Sequence, residues 1–315
     1  MSSAKGVRRG TVSAPRYHVL RDVRRKWSLY LFLLPTFALL VTFKYYPVLS
    51  AFWLSVYEWY GGAGFTFVGL GNFQRLAADR VFAQSIVTAL KLAAFDVAVV
   101  LTMPLLMAEL LHNLRHKRAQ YYYRIAVVVP MVVPSLVTLL IWAFIYNPSV
   151  GLLNELLHAV GAGSLARPWL GESATALYAV MGVGFPWVGA VSTLIYLAGL
   201  QAVPDAIFDA ARIDGVTALR RFWYIDLPLV MGQVKLLVML AVIGGIQGFQ
   251  NVLILTNGGP GYATMVPGLY MYQNAFTYNR LGYGTAIGVV MFMIMLSLTV
   301  LNNRYIRSSV EYEAT

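Results

Sequence analysis

Pro204-Asp-Ala-Ile-Phe-Asp-Ala-Ala-Arg-Ile-Asp-Gly-Val-Thr-Ala-Leu-Arg-Arg-Phe-Trp-Tyr-Ile-Asp-Leu-Pro228 is a charge-bearing interval between two long apolar stretches. Its pattern predicts two short helices joined by a turn. Pro204 suits a first helical position, and Asp205 sets negative charge at the positive end of the helix dipole. Gly215 can take the left-handed conformation that closes the first helix, Thr217 can cap the second, and Pro228 opens the apolar segment that follows. Ala206, Ala210 and Ala211 keep the first helix slim, so another backbone can approach it. Asp209 and Asp214 offer carboxylates to basic groups on a partner. Ile207, Phe208 and Ile213 would otherwise face water, as a docking surface does. From the residues alone two readings stand: a docking helix, or an amphipathic helix resting on the membrane or on the protein's own underside.

The segments around this interval are those of a membrane protein. Hydrophobic types make up 59% of the 315 residues and charged types 12%, against about half and about a quarter in soluble domains. A single soluble core cannot hide so much apolar surface, so lipid is the expected solvent. Six segments are long and apolar enough to cross as helices: about 28–48, 82–110, 122–146, 174–200, 229–255 and 284–302. The second and fifth are long enough to tilt or to project beyond the bilayer. A net charge of +11 could indicate nucleic acid, but its distribution indicates topology instead. Seventeen Lys and Arg lie before the first segment, in the loops after the second and fourth, and after the sixth; the opposite loops hold Arg75, Arg80, Arg167 and Arg280. That asymmetry places both termini in the cytoplasm and removes the nucleic-acid reading. The expected organisation is a basic cytoplasmic tail over 1–26, a six-helix transmembrane body over 27–303 with a cytoplasmic loop at 201–228, and a second tail over 304–315. The first tail lacks the short apolar core and cleavage site of a secretory signal.

The interval 204–228 resembles the Glu-Ala-Ala loop of permease subunits in binding-protein-dependent ABC importers. The matching residues are Asp209, Ala210, Ala211, Asp214, Gly215, Phe222, Leu227 and Pro228, with Asp209 where Glu is usual and Val216 where Ala is usual. Three further elements, in order, are similar to the sugar-transporting branch: 67–73 (Phe-Val-Gly-Leu-Gly-Asn-Phe), Asn147-Pro148 with 151–154 (Gly-Leu-Leu-Asn), and 256–260 (Thr-Asn-Gly-Gly-Pro) with Thr264 and Gly282-Tyr283. The resemblance, to maltose- or glycerol-phosphate-type permeases of bacteria, runs from the first span to the last. It implies an all-α, polytopic, type I ABC importer permease (MetI-like) fold in the bacterial cell membrane. It also implies that the first loop helix, with Ala206, Asp209, Ala210, Ala211, Asp214 and Gly215, is the coupling helix that sits in a cleft of an ATPase subunit. The implied partners are two ATP-binding subunits, an extracytoplasmic solute-binding protein, a sugar substrate and membrane lipid. The Gly-Gly-Pro element adds a second, non-identical permease.

Polar groups at membrane depth need a reason. Gln247, Gln250 and Asn251 in the fifth segment and Trp187 in the fourth combine amides with an aromatic plate, which suits sugar hydroxyls and an apolar ring face. The competing role is hydrogen bonding between helices, at about 0.6–2 kcal/mol per contact. The resemblance favours the substrate pathway. Asp96, mid-way along the second segment, is a costly charge in lipid. Its expected role is a protonated or hydrogen-bonded helix contact, because nothing in the sequence implies proton coupling. Gly244 and Gly248, and Gly284 and Gly288, are spaced for close helix packing, and Pro130 and Pro134 for kinks.

No Gly-x-x-x-x-Gly-Lys-Ser/Thr loop occurs, so ATP hydrolysis is expected from partners and the chain is not expected to be an enzyme. With no cysteine, and with its four histidines outside the expected spans, the chain offers no obvious metal site. No cofactor is expected. The main rival is an ion-gradient-driven secondary transporter, which should show inverted repeats and several buried ionisable residues. No convincing repeat is visible, and Asp96 is the one midplane acid.

Overall fold

The computed structural model describes residues 27–62 and 64–305. The basic tail over 1–26 and residues 306–315 of the second tail lie outside them. The chain divides into two compact units, Met1–Ser50 and Ala51–Thr315. The described part of the first is helical, with α1 (Trp27–Leu40), a π turn at Val41–Tyr45 and the start of α2 (Tyr46–Leu54). The apolar helix Tyr30–Leu54 is long enough to span a membrane. Its large side chains point outward, Phe32 being 82% and Phe43 74% exposed, as befits a surface solvated by lipid.

In the second unit, β1 (Tyr57–Trp59) and β2 (Phe65–Phe67) form a small antiparallel hairpin, an addition to the expected all-helical chain. There follow α3 (Gly71–Ala77), α4 (Arg80–His112), α5 (Lys117–Val128), α6 (Ser135–Ile145) and α7 (Leu152–Ala159). Next come α8 (Ala176–Gly182), α9 (Ala190–Gln201), α10 (Asp205–Ile213), α11 (Ala218–Arg221) and α12 (Leu227–Leu229). The chain ends with α13 (Met231–Gln247), α14 (Gln250–Leu255), α15 (Pro267–Tyr272) and α16 (Leu281–Tyr305).

Among the described residues three helices are continuous and apolar enough to cross a membrane, and the number rises to six if each of three bent pairs counts as one span. At about 1.5 Å per residue, the 33 residues of α4 extend well beyond a hydrocarbon core of about 30 Å. The third expected span bends by 88° between Lys117–Val132 and Ser135–Ile145, where Pro130 and Pro134 lie. The fourth and fifth differ from the continuous helices expected. Helix α8 stops at Gly182 and α9 begins at Ala190; between them Gly184 and Gly189 have φ of +81° and +58°, and Pro186 has no N–H to continue a ladder. Helix α13 stops at Gln247, Gly248 is extended, and α14 restarts at Gln250. Averaged hydropathy does not register such breaks, since the residues in them are as apolar as their neighbours.

Helix α4 is the hub on which α9 and α13 pack. Gly245 makes the approach of α13 possible: a Cβ there would lie 2.6 Å from Ala93 Cα. The close contact is therefore at Gly245, while a Cβ on Gly244 would meet open space. Gly284 packs against Ala275 and Gly288 against Met271, as their spacing anticipates. One buried cluster joins Leu105, Ala108 and Leu111 of α4 to Tyr196 and Leu200 of α9 and Val234 of α13.

Side-chain amides stitch the loops at the opposite end. Buried Asn72 donates to the Ser55 and Tyr57 carbonyls, both at 2.9 Å, and Asn154 accepts from the Trp169 indole at 2.8 Å. Asp79 caps α4 by accepting from the Val81 and Phe82 N–H groups, and it also accepts from the Tyr270 and Tyr283 hydroxyls at 2.6 and 2.7 Å. Burial disfavours its charge, but these four donors outweigh burial and hold the carboxyl below its ordinary range. The stabilisation is thus complete at neutral pH and disappears as pH falls through that lowered value. Asp79→Ala should cost about 2–3 kcal/mol through lost cap and hydrogen bonds. An unchanged thermal midpoint in detergent would refute that assignment.

Candidate functional site

Two places converge on chemistry: the loop around α10, and a cavity at the breaks in the fourth and fifth spans. Pro204 is the N-cap of α10, one position earlier than the sequence suggested, and Asp205 is the first helical residue. At the other end Gly215, at φ +66°, donates to the Arg212 carbonyl and Val216 donates to that of Ala211, at 3.1 and 3.0 Å. This pair of bonds closes a helix around a left-handed residue. Thr217 stands at the N-cap of α11, but its side chain accepts no backbone hydrogen bond there.

Helix α10 has two faces. Phe208 and Ala211 are each only 5% exposed and point into the protein. Ala206, Asp209, Ala210, Asp214 and Gly215 are exposed, as is Ile213 at 86%. Of the apolar trio expected on the docking side, then, Phe208 serves as an anchor and Ile213 remains outside. Ala211 belongs with the anchor. Asp209 pairs with Arg212 at 3.1 Å, but both are well exposed, and such a pair contributes little.

The anchor rests on charges that sequence reasoning did not single out. Arg221 donates through Nε to Asp226 at 2.9 Å, and through Nη2 to Asn113 at 2.6 Å and Glu109 at 3.5 Å. Its guanidinium lies 5.5 Å from the centre of the Phe208 ring, which also meets the His112 ring at 5.0 Å. Arg221, Glu109 and Asp226 are 13%, 12% and 1% exposed. The loop is therefore clamped to the end of α4 by one cation shared between two carboxyls and an amide. Glu109 and Asn113 stand more than 100 residues from Arg221 in sequence, so no local pattern pairs them.

The cavity, of about 290 Å³, is lined by Asp96 and Phe95 of α4, by Trp187 in the first break, and by Gly248, Gln250 and Asn251 at the second. Discontinuous helices suit such a place, because irregular backbone at membrane depth persists only where it is enclosed by protein or lines a cavity. Trp187 is held in a left-handed conformation, φ +55°, with its indole N–H on the Met181 carbonyl at 3.0 Å. Phe95 and Phe185 meet its ring edge-to-face at 5.4 and 5.0 Å. Gln250, Asn251 and Asp96 make no side-chain hydrogen bond with any described residue. The hydrogen bond that a helix contact at Asp96 would use is thus not among those of the described residues; Asp96 is exposed and borders the cavity. Gln247, at the end of α13, is not part of the lining. A larger cavity of about 1030 Å³, walled by residues such as Leu110, Tyr123, Pro130 and Phe185, is mostly apolar and brings no comparable set of polar groups together.

Residues 100–310 match the family of binding-protein-dependent transport system inner membrane components, and the chain belongs to that family. It is 33% identical to a probable ABC transporter permease protein, YurN, of Bacillus subtilis (strain 168), across 90% of this chain and 97% of that protein. It is 31% identical to the trehalose/maltose transport system permease protein MalF of Thermococcus litoralis, across 86% and 90%. Its fold is shared with a chain in the crystal structure of a bacterial ABC transporter involved in the import of the acidic polysaccharide alginate. There the TM-score is 0.81 at 21% identity, covering 93% of this chain and 99% of that one. This is thus a multi-pass ABC-transporter permease with the importer-permease fold.

Proposed function

We propose that the chain is one permease subunit of an ATP-driven sugar importer in the bacterial cell membrane, with both termini cytoplasmic. An extracytoplasmic solute-binding protein delivers the sugar to the outer loops, and a second, non-identical permease completes the pathway. Two ATP-binding subunits supply the energy, since this chain has no phosphate-binding loop of its own. The organisation is a basic tail over 1–26, a six-span permease body over 27–303 that includes the coupling loop 201–228, and a tail over 304–315.

The observation that carries this reading is the continuity between cavity and loop. Helix α9 begins at the break beside Trp187 and runs through its 12 residues, roughly 18 Å, to α10. The Arg221 clamp ties the same loop to α4, which carries Phe95 and Asp96 to the cavity wall. Closure of the ATPase subunits would displace α10, and two rigid helices would pass that displacement to opposite sides of the cavity. ATP binding would turn the pathway outward, and hydrolysis would reset it. Exposed Ala206, Asp209, Ala210, Asp214 and Gly215 present the docking face, with Ala211 holding it from behind.

Trp187 supplies a flat, anchored surface for a sugar ring, and the amides of Gln250 and Asn251, bonded to no described residue, supply donors and acceptors for hydroxyls. Trp187→Ala and Gln250→Ala should each reduce uptake efficiency about tenfold, equivalent to about 1.4 kcal/mol. The measurement is ATP-dependent uptake by the reconstituted complex. Unaltered uptake in both variants would remove the cavity from the pathway, and uptake driven by an ion gradient without nucleotide would overturn the ABC mechanism for this chain.

A further inference from the structure

We propose that the cavity selects uncharged sugars and that Asp96 is its specificity-determining residue, rejecting anionic cargo and accepting hydroxyl hydrogens. The inference rests on the sugar-importer reading and adds the charge class of the substrate. Family membership leaves that class open, since the structural neighbour imports an acidic polysaccharide while a relative is named for trehalose and maltose.

The lining on this subunit carries the argument. Among the described residues that border the cavity, Asp96 is the sole ionisable one; the others are apolar, glycine, an indole or the amides Gln250 and Asn251. No Lys, Arg or His among the described residues of this chain borders it to receive a carboxylate, phosphate or sulfonate. An anionic solute would meet a fixed carboxylate in surroundings far less polarisable than water, where like charges repel strongly. An uncharged polyol meets the opposite situation. The carboxylate is acceptor-only, with two oxygens able to take hydrogens from neighbouring hydroxyls, while the amides both donate and accept.

Asp96 is also free for this work. It has no salt bridge and no side-chain hydrogen bond to any described residue, and its side chain is exposed. An ionisable group at membrane depth with no partner in its own bundle marks a pathway position. Phe95, adjacent to it, braces the Trp187 ring edge-to-face, so the acceptor and the aromatic surface are held on one wall by α4.

The test uses the complete importer with its native partner subunits in proteoliposomes, and six radiolabelled probes. Maltose, trehalose and diacetylchitobiose are uncharged; sn-glycerol 3-phosphate, galacturonate and a sulfoquinovosyl glycerol are anionic. Expected is ATP-dependent uptake restricted to uncharged probes. Asp96→Asn, which keeps the size and removes the charge, should raise KM for the transported probe about tenfold with Vmax within about twofold. It should also narrow the discrimination against the anionic probes. Wild-type uptake of an anionic probe at a rate comparable to an uncharged one would overturn the proposal, as would an unchanged KM in Asp96→Asn. Reduced copurification of the second permease with Asp96→Asn would assign the residue to assembly and overturn it likewise. Absence of ATP-dependent uptake of every probe would defeat the sugar-importer reading itself, an outcome distinct from ATP-driven uptake that ignores Asp96.

Discussion

Ala210→Arg is expected to abolish uptake while the chain still inserts and folds. Ala210 is exposed on α10, one turn from Ala206 and beside Ile213, on the face away from the Phe208 anchor. Ala210 is exposed, so a long side chain there can extend into solvent, and arginine is nearly as good a helix former as alanine. The substitution is thus silent for the isolated fold and severe for a partner that needs the backbone close. Steric and charge misfit in a docked interface costs several kcal/mol, so uptake should fall by at least about 100-fold. Membrane content and thermal midpoint should match wild type. Persistence of uptake near the wild-type rate would show that α10 lies on the membrane or the bundle instead of in a partner's cleft.

Arg221→Ala should be as damaging by an internal route. It removes the cation that, among the described residues, bridges Glu109 and Asp226, leaving two carboxyls, almost fully buried, without that counter-charge. Removing one member of a buried ionic group costs about 3–5 kcal/mol, because the charge left behind is unsolvated. Phe208 simultaneously loses the guanidinium over its ring, so α10 loses its seat on α4. The expected outcome is a loop cut readily by protease, together with lost uptake and a lowered thermal midpoint. Arg221→Lys should recover only part of this, since an ammonium cannot reproduce the fork that serves Asp226 and Asn113 together. If Arg221→Ala left protease resistance and uptake intact, the clamp would have no role in holding the loop.

The two variants probe opposite faces of one helix, and only one of those faces was legible beforehand. Slim residues at 206 and 210 and the exposed carboxylates at 209 and 214 could be named from their types alone. That Phe208 is an anchor and Ile213 a surface residue could not, because both are large and apolar and sit on a helix whose underside is unknown until it packs. The Arg221 cluster was equally hidden. Charge types and loop position make Arg221 look like one more topology-setting basic residue, and its partners at 109 and 113 become neighbours only when α4 projects beyond the bilayer.

The candidate pathway divides in a similar way. Trp187, Gln250 and Asn251 stand out in the sequence as polar or amphipathic groups at membrane depth, and they share one cavity with Asp96. Gln247 satisfied the same criterion but sits outside the lining, since the break at Gly248 redirects the chain between it and Gln250. From sequence Asp96 reads as a helix contact because nothing there implies proton coupling. The cavity it borders forms only when the breaks in two spans far apart in sequence meet α4.

Composition, apolar segment lengths and the asymmetry of basic residues were enough to define a multi-pass helical protein and its expected orientation, because the free energy of placing each residue in lipid or water is largely local. The motif at 204–228 likewise carried its turn in its own residues, with Gly215 taking the left-handed conformation that no β-carbon obstructs. Tertiary structure alone decided where the spans break, which face of α10 is outward and which distant charges meet. Those outcomes depend on distances between segments far apart in sequence, as when Gly245 admits Ala93 or Glu109 reaches Arg221, and pairwise approach is a property of the packed bundle.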